Sequence, residues 1–201
     1  MDKKYMETEK MRKLFRMIDN MSSKNSLIIA IEGGSASGKT TLAELLKNTY
    51  DCNVFHMDDF FLRPEQRTLQ RLAEIGGNVD RERFEKEILL PLKNKEAVCY
   101  RPFDCSSQSL IEPITVSHKR ITVVEGAYSM HPSFGKYYDL SIFLDISSEF
   151  QRERILIRNS PRLAERFFNE WIPMENRYFA KTDIKRRVDA VFTVKANDIN
   201  I

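Results

Sequence analysis

Residues 33 to 40 read Gly33-Gly34-Ser35-Ala36-Ser37-Gly38-Lys39-Thr40, a full match to G-x-x-x-x-G-K-[ST]. A glycine-rich turn of this kind lets the backbone wrap a phosphate without Cβ clashes. Successive N–H groups at a helix N-terminus then point at the anion. Lys39 is spaced to reach β- and γ-phosphates, and the Thr40 hydroxyl to ligate Mg²⁺. Two acids, Asp58 and Asp59, follow a short apolar segment, Asn53 to Met57. A carboxylate at the carboxyl end of a parallel strand faces the ligand crevice and can accept the proton of an attacking hydroxyl. Asp58 comes first and is read in that role; Asp59 is read equally well as the cap of the next turn. Glu125 ends the run Ile121 to Val124 and precedes Gly126. That is the pattern of an acid that holds Mg²⁺ directly or through water. Arg154, Arg158, Arg162 and Arg166 recur every four residues. Arginine suits multidentate phosphate contact, and a mobile helical lid would bring one or two of them over a transferring phosphoryl group. The others read as a solvated face paired with Glu153 and Glu165. His56, His118 and His131 have no partners at metal-ligand spacing and are read as structural.

Positioning these groups requires strands that end at one edge. Leu27 to Glu32 is read as a buried strand running into the glycine-rich turn. Thr40 to Tyr50 is read as a helix with Leu42, Leu45 and Leu46 on one face. Asn53 to Met57, Ile121 to Val124, Leu140 to Leu144 and Ala190 to Val194 are read as further strands. Asp80 to Leu90 is helical by spacing, with Pro91 closing it. Val98 to Tyr100 and Ile114 to Val116 flank the polar stretch Ser106-Ser107-Gln108-Ser109 and predict a small hairpin. Phe150 to Arg158 is read as a helix. Ser160-Pro161 reads as an N-cap followed by proline, opening a helix that stops or kinks near Pro173. Trp171, Phe167 and Phe168 are read as packing residues. Short aliphatic strands separated by helices predict an α/β fold, a parallel sheet with helices on both faces. Met11, Leu14, Phe15 and Ile18 fall on one helical face. Residues 1–25 are accordingly read as an amphipathic helix and linker (Ser22-Ser23-Lys24-Asn25), and 26–201 as a single domain with a lid at about 150–172. The N-terminal stripe either docks on that domain or is the spare interface of a homo-oligomer.

Composition narrows the class. With 201 residues, 42% hydrophobic and 30% charged, the chain suits one folded domain. The longest aliphatic run, Leu27 to Ile31, is far short of a membrane span, and residues 1–20 are too charged for a secretory signal. The net charge of +3 resides in residues 1–24, and the remainder balances. Residues 150–187 are basic, which suits a bound polyanion, but no surface-wide excess argues for nucleic acid. Three cysteines without metal spacing fit a reduced, cytoplasmic compartment.

The motifs together resemble the uridine kinase and phosphoribulokinase group. The likeness runs from Gly33 through Thr41, through Met57-Asp58-Asp59-Phe60-Phe61, Val79-Asp80-Arg81-Glu82-Arg83-Phe84 and Val124-Glu125-Gly126. It continues into Phe143-Leu144-Asp145 and Ile172-Pro173, over roughly 26–197. The resemblance implies a P-loop NTPase fold of nucleoside-kinase type, with a small hairpin and a helical lid. It also implies transfer of the γ-phosphoryl of ATP, with Mg²⁺, to a small hydroxyl compound. Asp58 then matches the family's general base, which also lies near Mg²⁺. Asp80 matches the acid holding ribose hydroxyls, Glu125 the acid near the metal, and Arg154 and Arg158 the lid-side arginines. The loop Lys195 to Asp198 matches the one used near adenine. There are departures. Where uridine kinases carry Tyr-Asp-Phe and a following His against the pyrimidine, this chain has Phe103-Asp104-Cys105 and Gln108. Phe103 keeps the ring without the hydroxyl. Gln151 stands where that family often places an arginine. Losing polar contacts relaxes discrimination among bases. The acceptor is therefore read as a nucleoside such as uridine, with pantothenate, glycerate or a sugar as runner-up. A nucleotide-dependent switch or ATPase is the reading from another class.

Overall fold

The computed structural model describes residues 9–21 and 23–195. The expected adenine-side loop therefore lies outside the described residues beyond Lys195, as does Ser22 of the expected linker.

Strand β1 (Leu27–Gly33) is buried along its whole length, as a near-continuous aliphatic run in the middle of a parallel sheet should be. It lies between β7 (Ile121–Glu125) and β8 (Leu140–Ile146). β2 (Asn53–His56) and β9 (Ala190–Val194) form the two edges, giving the order β2-β7-β1-β8-β9. Every pairing in this sheet is parallel, so all five strands end at one edge. Alternation sorts the side chains into two layers. Leu27, Ile29 and Ile31 pack with Leu42 and Leu46 of α2 (Lys39–Tyr50) on one face. Ile28 packs on the other face, with Phe55, Phe60, Phe84, Val124 and Tyr178.

Helix α1 (Glu9–Asp19) joins the first layer. Leu14 and Ile18 are fully buried among Leu27, Ile121 and Leu140, with Met11, Phe15 and Met17 packed alongside. The apolar stripe is therefore consumed within the chain and is not a spare interface. The reason is that the sheet face left open beside α2 needs an apolar cover.

Between β2 and β7 lie a 3₁₀ turn (Met57–Phe60), the short α3 (Leu69–Ala73) and helix α4, which runs from Arg81–Phe84 through a π turn at Glu85–Leu89 into Leu90–Asn94. Pro91 does not close α4. The π turn supplies an i→i−5 bond, Leu90 N–H to the Glu85 carbonyl, immediately before the proline, which has no N–H to lose. The same device recurs further along the chain. A π turn at Phe167–Trp171 places Ile172 N–H on the Phe167 carbonyl, and the helix continues past Pro173 as Ile172–Thr182. The expected hairpin is two nested antiparallel ladders, β3 (Val98–Tyr100) with β6 (Ile114–Val116) and β4 (Phe103–Asp104) with β5 (Ser109–Leu110). Helix α5 (Ser148–Arg158) is capped by Ser147, and α6 (Pro161–Arg166) by Ser160. Among the described residues no helix is long and apolar enough to cross a membrane.

Candidate active site

The glycine-rich turn leaves β1 at the carboxyl edge of the sheet and opens α2. Gly33 takes φ 148°, and a Cβ there would stand 2.6 Å from the Leu144 carbonyl oxygen of β8. Only glycine passes between the strands at this point. Lys39 folds back so that Nζ donates to the Gly34 carbonyl at 2.9 Å. Thr40, one residue on, donates its hydroxyl to Glu125 Oε1 at 3.1 Å.

Glu125 is set by register. It ends β7 directly opposite His56, the last residue of β2, and His56 Nδ1 lies 2.6 Å from the same Oε1. His56 thus contacts a candidate site residue, which the sequence reading did not anticipate. The signal was present, since both residues close a strand at one edge, but reading it required the pairing register. Burial pushes the Glu125 carboxyl upward. The His56 hydrogen bond, Lys39 and Thr40 together outweigh that and hold it below the usual carboxylate value. In return, the Glu125 hydrogen bond raises His56 above an ordinary histidine, against the opposing effect of burial.

Asp58 is the second residue of the 3₁₀ turn after β2. Gly126 (φ 142°) lets this turn approach β7 closely, since a Cβ there would stand 2.5 Å from Met57 Cβ. Asp58 accepts no hydrogen bond among the described residues. It is exposed at the cleft surface, while protein packs densely beneath it. That packing pushes its carboxyl upward, Lys39 pulls it back, and Glu125 and Glu175 push it further. Asp59 is occupied differently, accepting from the Tyr100 hydroxyl at 3.3 Å.

The acceptor side is less open. Asp80 is 4% exposed. Its Oδ1 caps α4 by accepting the Arg83 N–H at 3.1 Å, and its Oδ2 accepts from Gln66 Nε2 at 2.8 Å. A substrate hydroxyl there would have to share those oxygens or displace Gln66. Phe103 is buried in β4, with the Arg67 guanidinium 5.6 Å from its ring centroid. Gln108 is exposed and bonds the Cys105 carbonyl within the hairpin tip. Of the lid arginines, Arg154 is buried with its guanidinium 5.6 Å from the Phe150 ring, and Arg158 is exposed at the end of α5. Arg166 is paired with Glu170 at 3.0 Å and stacks over Trp171.

Glu32 and Glu175 carry no sequence signal, and Gln151 stands out only as a departure from the resembled family. Gln151 and Glu175 both bond Ser35 of the turn. Glu32, inside β1, is fully buried and faces donors only: the N–H groups of Gly33, Tyr128 and Met130 and the Tyr178 hydroxyl, at 3.0 to 3.2 Å. It ties the start of the turn to the loop after Glu125. Burial pushes its carboxyl up to about 7, against the opposing backbone N–H bonds, Lys39 and Tyr178. The ordinary value is 4.5. The native state therefore binds the extra proton between these pH values. The resulting stabilisation is fully present below about 4.5 and lost as pH rises through about 7. Relative to Glu32→Gln, the wild type is expected to lose about 3 kcal/mol of stability over this range. Urea unfolding of both proteins from pH 4.5 to 8 checks this; a constant difference would show that Glu32 does not titrate there.

The parallel sheet, the phosphate-binding turn on its central strand and the strand-end acids define a P-loop kinase fold. No family model matches the chain. A uridine kinase of Staphylococcus haemolyticus is 27% identical over 173 residues, covering 79% of this chain and 84% of that protein. A Bacillus stearothermophilus structure described as a possible uridine kinase superposes with a TM-score of 0.70 at 21% identity, over 90% of this chain and 96% of that one. A D-glycerate 3-kinase from Cryptococcus neoformans superposes with a TM-score of 0.58 at 14% identity, over 80% and 83% of the two chains. The structural likenesses establish the fold. The sequence similarity is to uridine kinases, and together they support the coarser class of small-molecule kinase.

Proposed function

We propose that the protein transfers the γ-phosphoryl group of ATP to a hydroxyl of a small acceptor, first of all the 5′-hydroxyl of a nucleoside such as uridine. The observation that carries this reading is Asp58: an exposed carboxylate that accepts no hydrogen bond among the described residues, beside a full P-loop, on the edge where all five strands end. In this reading it accepts the hydroxyl proton, while Lys39 and the N–H groups of Gly33 to Thr41 hold the phosphates. The oxygen set of Thr40, Glu125 and Asp58 suits Mg²⁺. No cluster of three metal-binding side chains gathers among the described residues. Mg²⁺ is commonly held by one or two carboxylates plus phosphate oxygens and water. Bound Mg²⁺ supplies charge neutralisation on the phosphates. Arg158 and Arg154 are the lid groups proposed for the phosphoryl and acceptor sides, and Asp80 and Phe103 for the acceptor. Three free cysteines support a cytoplasmic setting.

One observation favours a second acceptor class. Arg67 stands over the Phe103 ring, and Asp80 already serves Gln66 and the helix cap. A smaller alcohol such as glycerate, pantothenate or a sugar would not need the stacking face or two free acceptors. ADP release from Mg-ATP, measured with uridine, cytidine, other nucleosides, pantothenate, glycerate and pentoses against an acceptor-free blank, separates these readings. Stimulation by uridine or cytidine is the expected result. Stimulation only by another alcohol moves the acceptor, and fast acceptor-free hydrolysis would favour a switch or ATPase instead.

A further inference from the structure

The lid leaves the body of the protein at the end of α5 and returns into helix Ile172–Thr182. One buried polar residue stands on each stem. Gln151, in α5, donates Nε2 to the Ser35 carbonyl at 2.8 Å. Glu175, in the first turn of the returning helix, accepts the Ser35 N–H at 2.9 Å on one oxygen and the Ser35 hydroxyl at 2.6 Å on the other. Gln151 and Glu175 are 8% and 5% exposed. The backbone N–H, carbonyl and hydroxyl of one P-loop residue are thus all held by the two roots of the lid.

Three further observations belong to the same device. Gly34 leaves the room that these side chains use, since a Cβ there would lie 3.0 Å from Gln151 Nε2 and 3.5 Å from Glu175 Oε2. Ala36, at the tip of the turn with φ 58°, packs in one apolar cluster with Ile155 and Ala164, flanked by Phe167, Phe168 and Ile172. Tyr178, three residues after Glu175 and so on the same helical face, donates to Glu32, which holds the Gly33 N–H. Glu175 forms no ion pair among the described residues, so its hydrogen-bond donors come from Ser35. A buried carboxylate held by a single partner residue fixes that partner strongly, because leaving it unsatisfied is costly.

We propose that Gln151 and Glu175 latch the lid to the P-loop through Ser35, so that nucleotide at the P-loop and the position of the lid form one mechanical unit, with Glu175 as the positioning residue. Its catalytic consequence rests on the kinase reading; the coupling itself does not. Cutting the latch frees lid and turn together. In a kinase it also lets water compete with the acceptor, because a closed lid is what excludes water.

The test is amide hydrogen exchange on the full chain, with and without Mg²⁺ and a non-hydrolysable ATP analogue, for wild type, Glu175→Ala and Glu175→Gln. Glu175→Ala is expected to speed exchange of 162–171 and of 34–36 together by about tenfold, the loss of charge-assisted hydrogen bonds. Exchange in β1 and β7 should stay unchanged. Glu175→Gln, whose amide can accept from the N–H and donate to the hydroxyl, should restore both segments. Faster lid exchange with an unchanged P-loop, or no change in either, overturns the latch. Gln151→Ala cuts the other root and serves the same comparison if Glu175→Ala does not fold. The nucleotide-free samples decide the latch even if wild type binds no analogue, an outcome that would instead remove the kinase reading. With an acceptor in hand, Glu175→Ala should also raise the share of ATP lost to hydrolysis. A merely structural defect would lower transfer and hydrolysis in parallel.

Discussion

Replacing Asp58 with asparagine is expected to lower phosphoryl transfer by a factor of about 10² to 10⁴, the usual contribution of a general base, while ATP binding stays nearly intact. The substitution keeps the shape and removes the acceptor of the hydroxyl proton. Asp58 makes no hydrogen bond among the described residues, so asparagine breaks no internal contact, and stability should hold. Because burial and the neighbouring Glu125 and Glu175 push the Asp58 carboxyl upward, the acid limb of kcat/KM in the wild type should lie above the range of an ordinary aspartate. That limb should disappear in Asp58→Asn. Turnover is measured with the acceptor found in the panel, and nucleotide affinity by calorimetry. Full turnover in Asp58→Asn would remove the base assignment. A matching loss of ATP affinity would move Asp58 to metal or nucleotide binding.

Lys39→Ala is expected to fail earlier in the reaction, weakening binding of Mg-ATP and lowering turnover by about 10² or more. The ammonium is both the point charge on the phosphates and a preorganised stabiliser of developing negative charge. In the structure it donates to the Gly34 carbonyl, so its loss also frees the turn it closes. It is in addition a cation that lowers the Asp58 and Glu125 carboxyls, and both should titrate higher in the variant. Unchanged ATP kinetics would overturn the P-loop assignment. Because the two substitutions act on one charge network, their effects should fall short of adding, and the double variant is expected to be little worse than Lys39→Ala alone.

The network explains why the site divides as it does. Thr40, Glu125 and His56 are linked by short polar contacts at the ends of β7 and β2, and Lys39 is held by the Gly34 carbonyl. Asp58, at the same edge, is left without one. A group proposed to exchange a proton with a ligand benefits from such freedom, whereas Glu125 is fixed by its neighbours. Asp59 illustrates the second kind: one residue away, it is tied to Tyr100 and faces a different task.

The P-loop, the strands and the lid helices were legible in the sequence because each is written in local chemistry: glycines and a Lys-Thr pair at fixed offsets, aliphatic runs of strand length, and Ser160-Pro161 at a helix start. The acids Asp58 and Glu125 were legible because a parallel sheet brings all its strand ends to one edge. One local reading failed for a local reason. Pro91 looks like a helix end, but a π turn one step earlier removes the bond that proline would have broken; a π turn likewise precedes Pro173, where the sequence predicts a stop or a kink. The stripe of α1 is apolar in either a docked or an oligomeric state, and only the packing shows the sheet covering it. The rest depends on separations that no motif spans. His56 meets Glu125 across 69 residues, Gln151 meets Ser35 across 116, and Glu175 meets it across 140. A glutamine in one helix and a glutamate at the head of another look like ordinary polar residues until the fold buries them. Sequence alone determined which groups can do chemistry on a phosphate. Tertiary structure decided which of them are held, which is left free, and what holds the loop that binds, because burial and register turn a residue's capacity for a hydrogen bond into a particular partner.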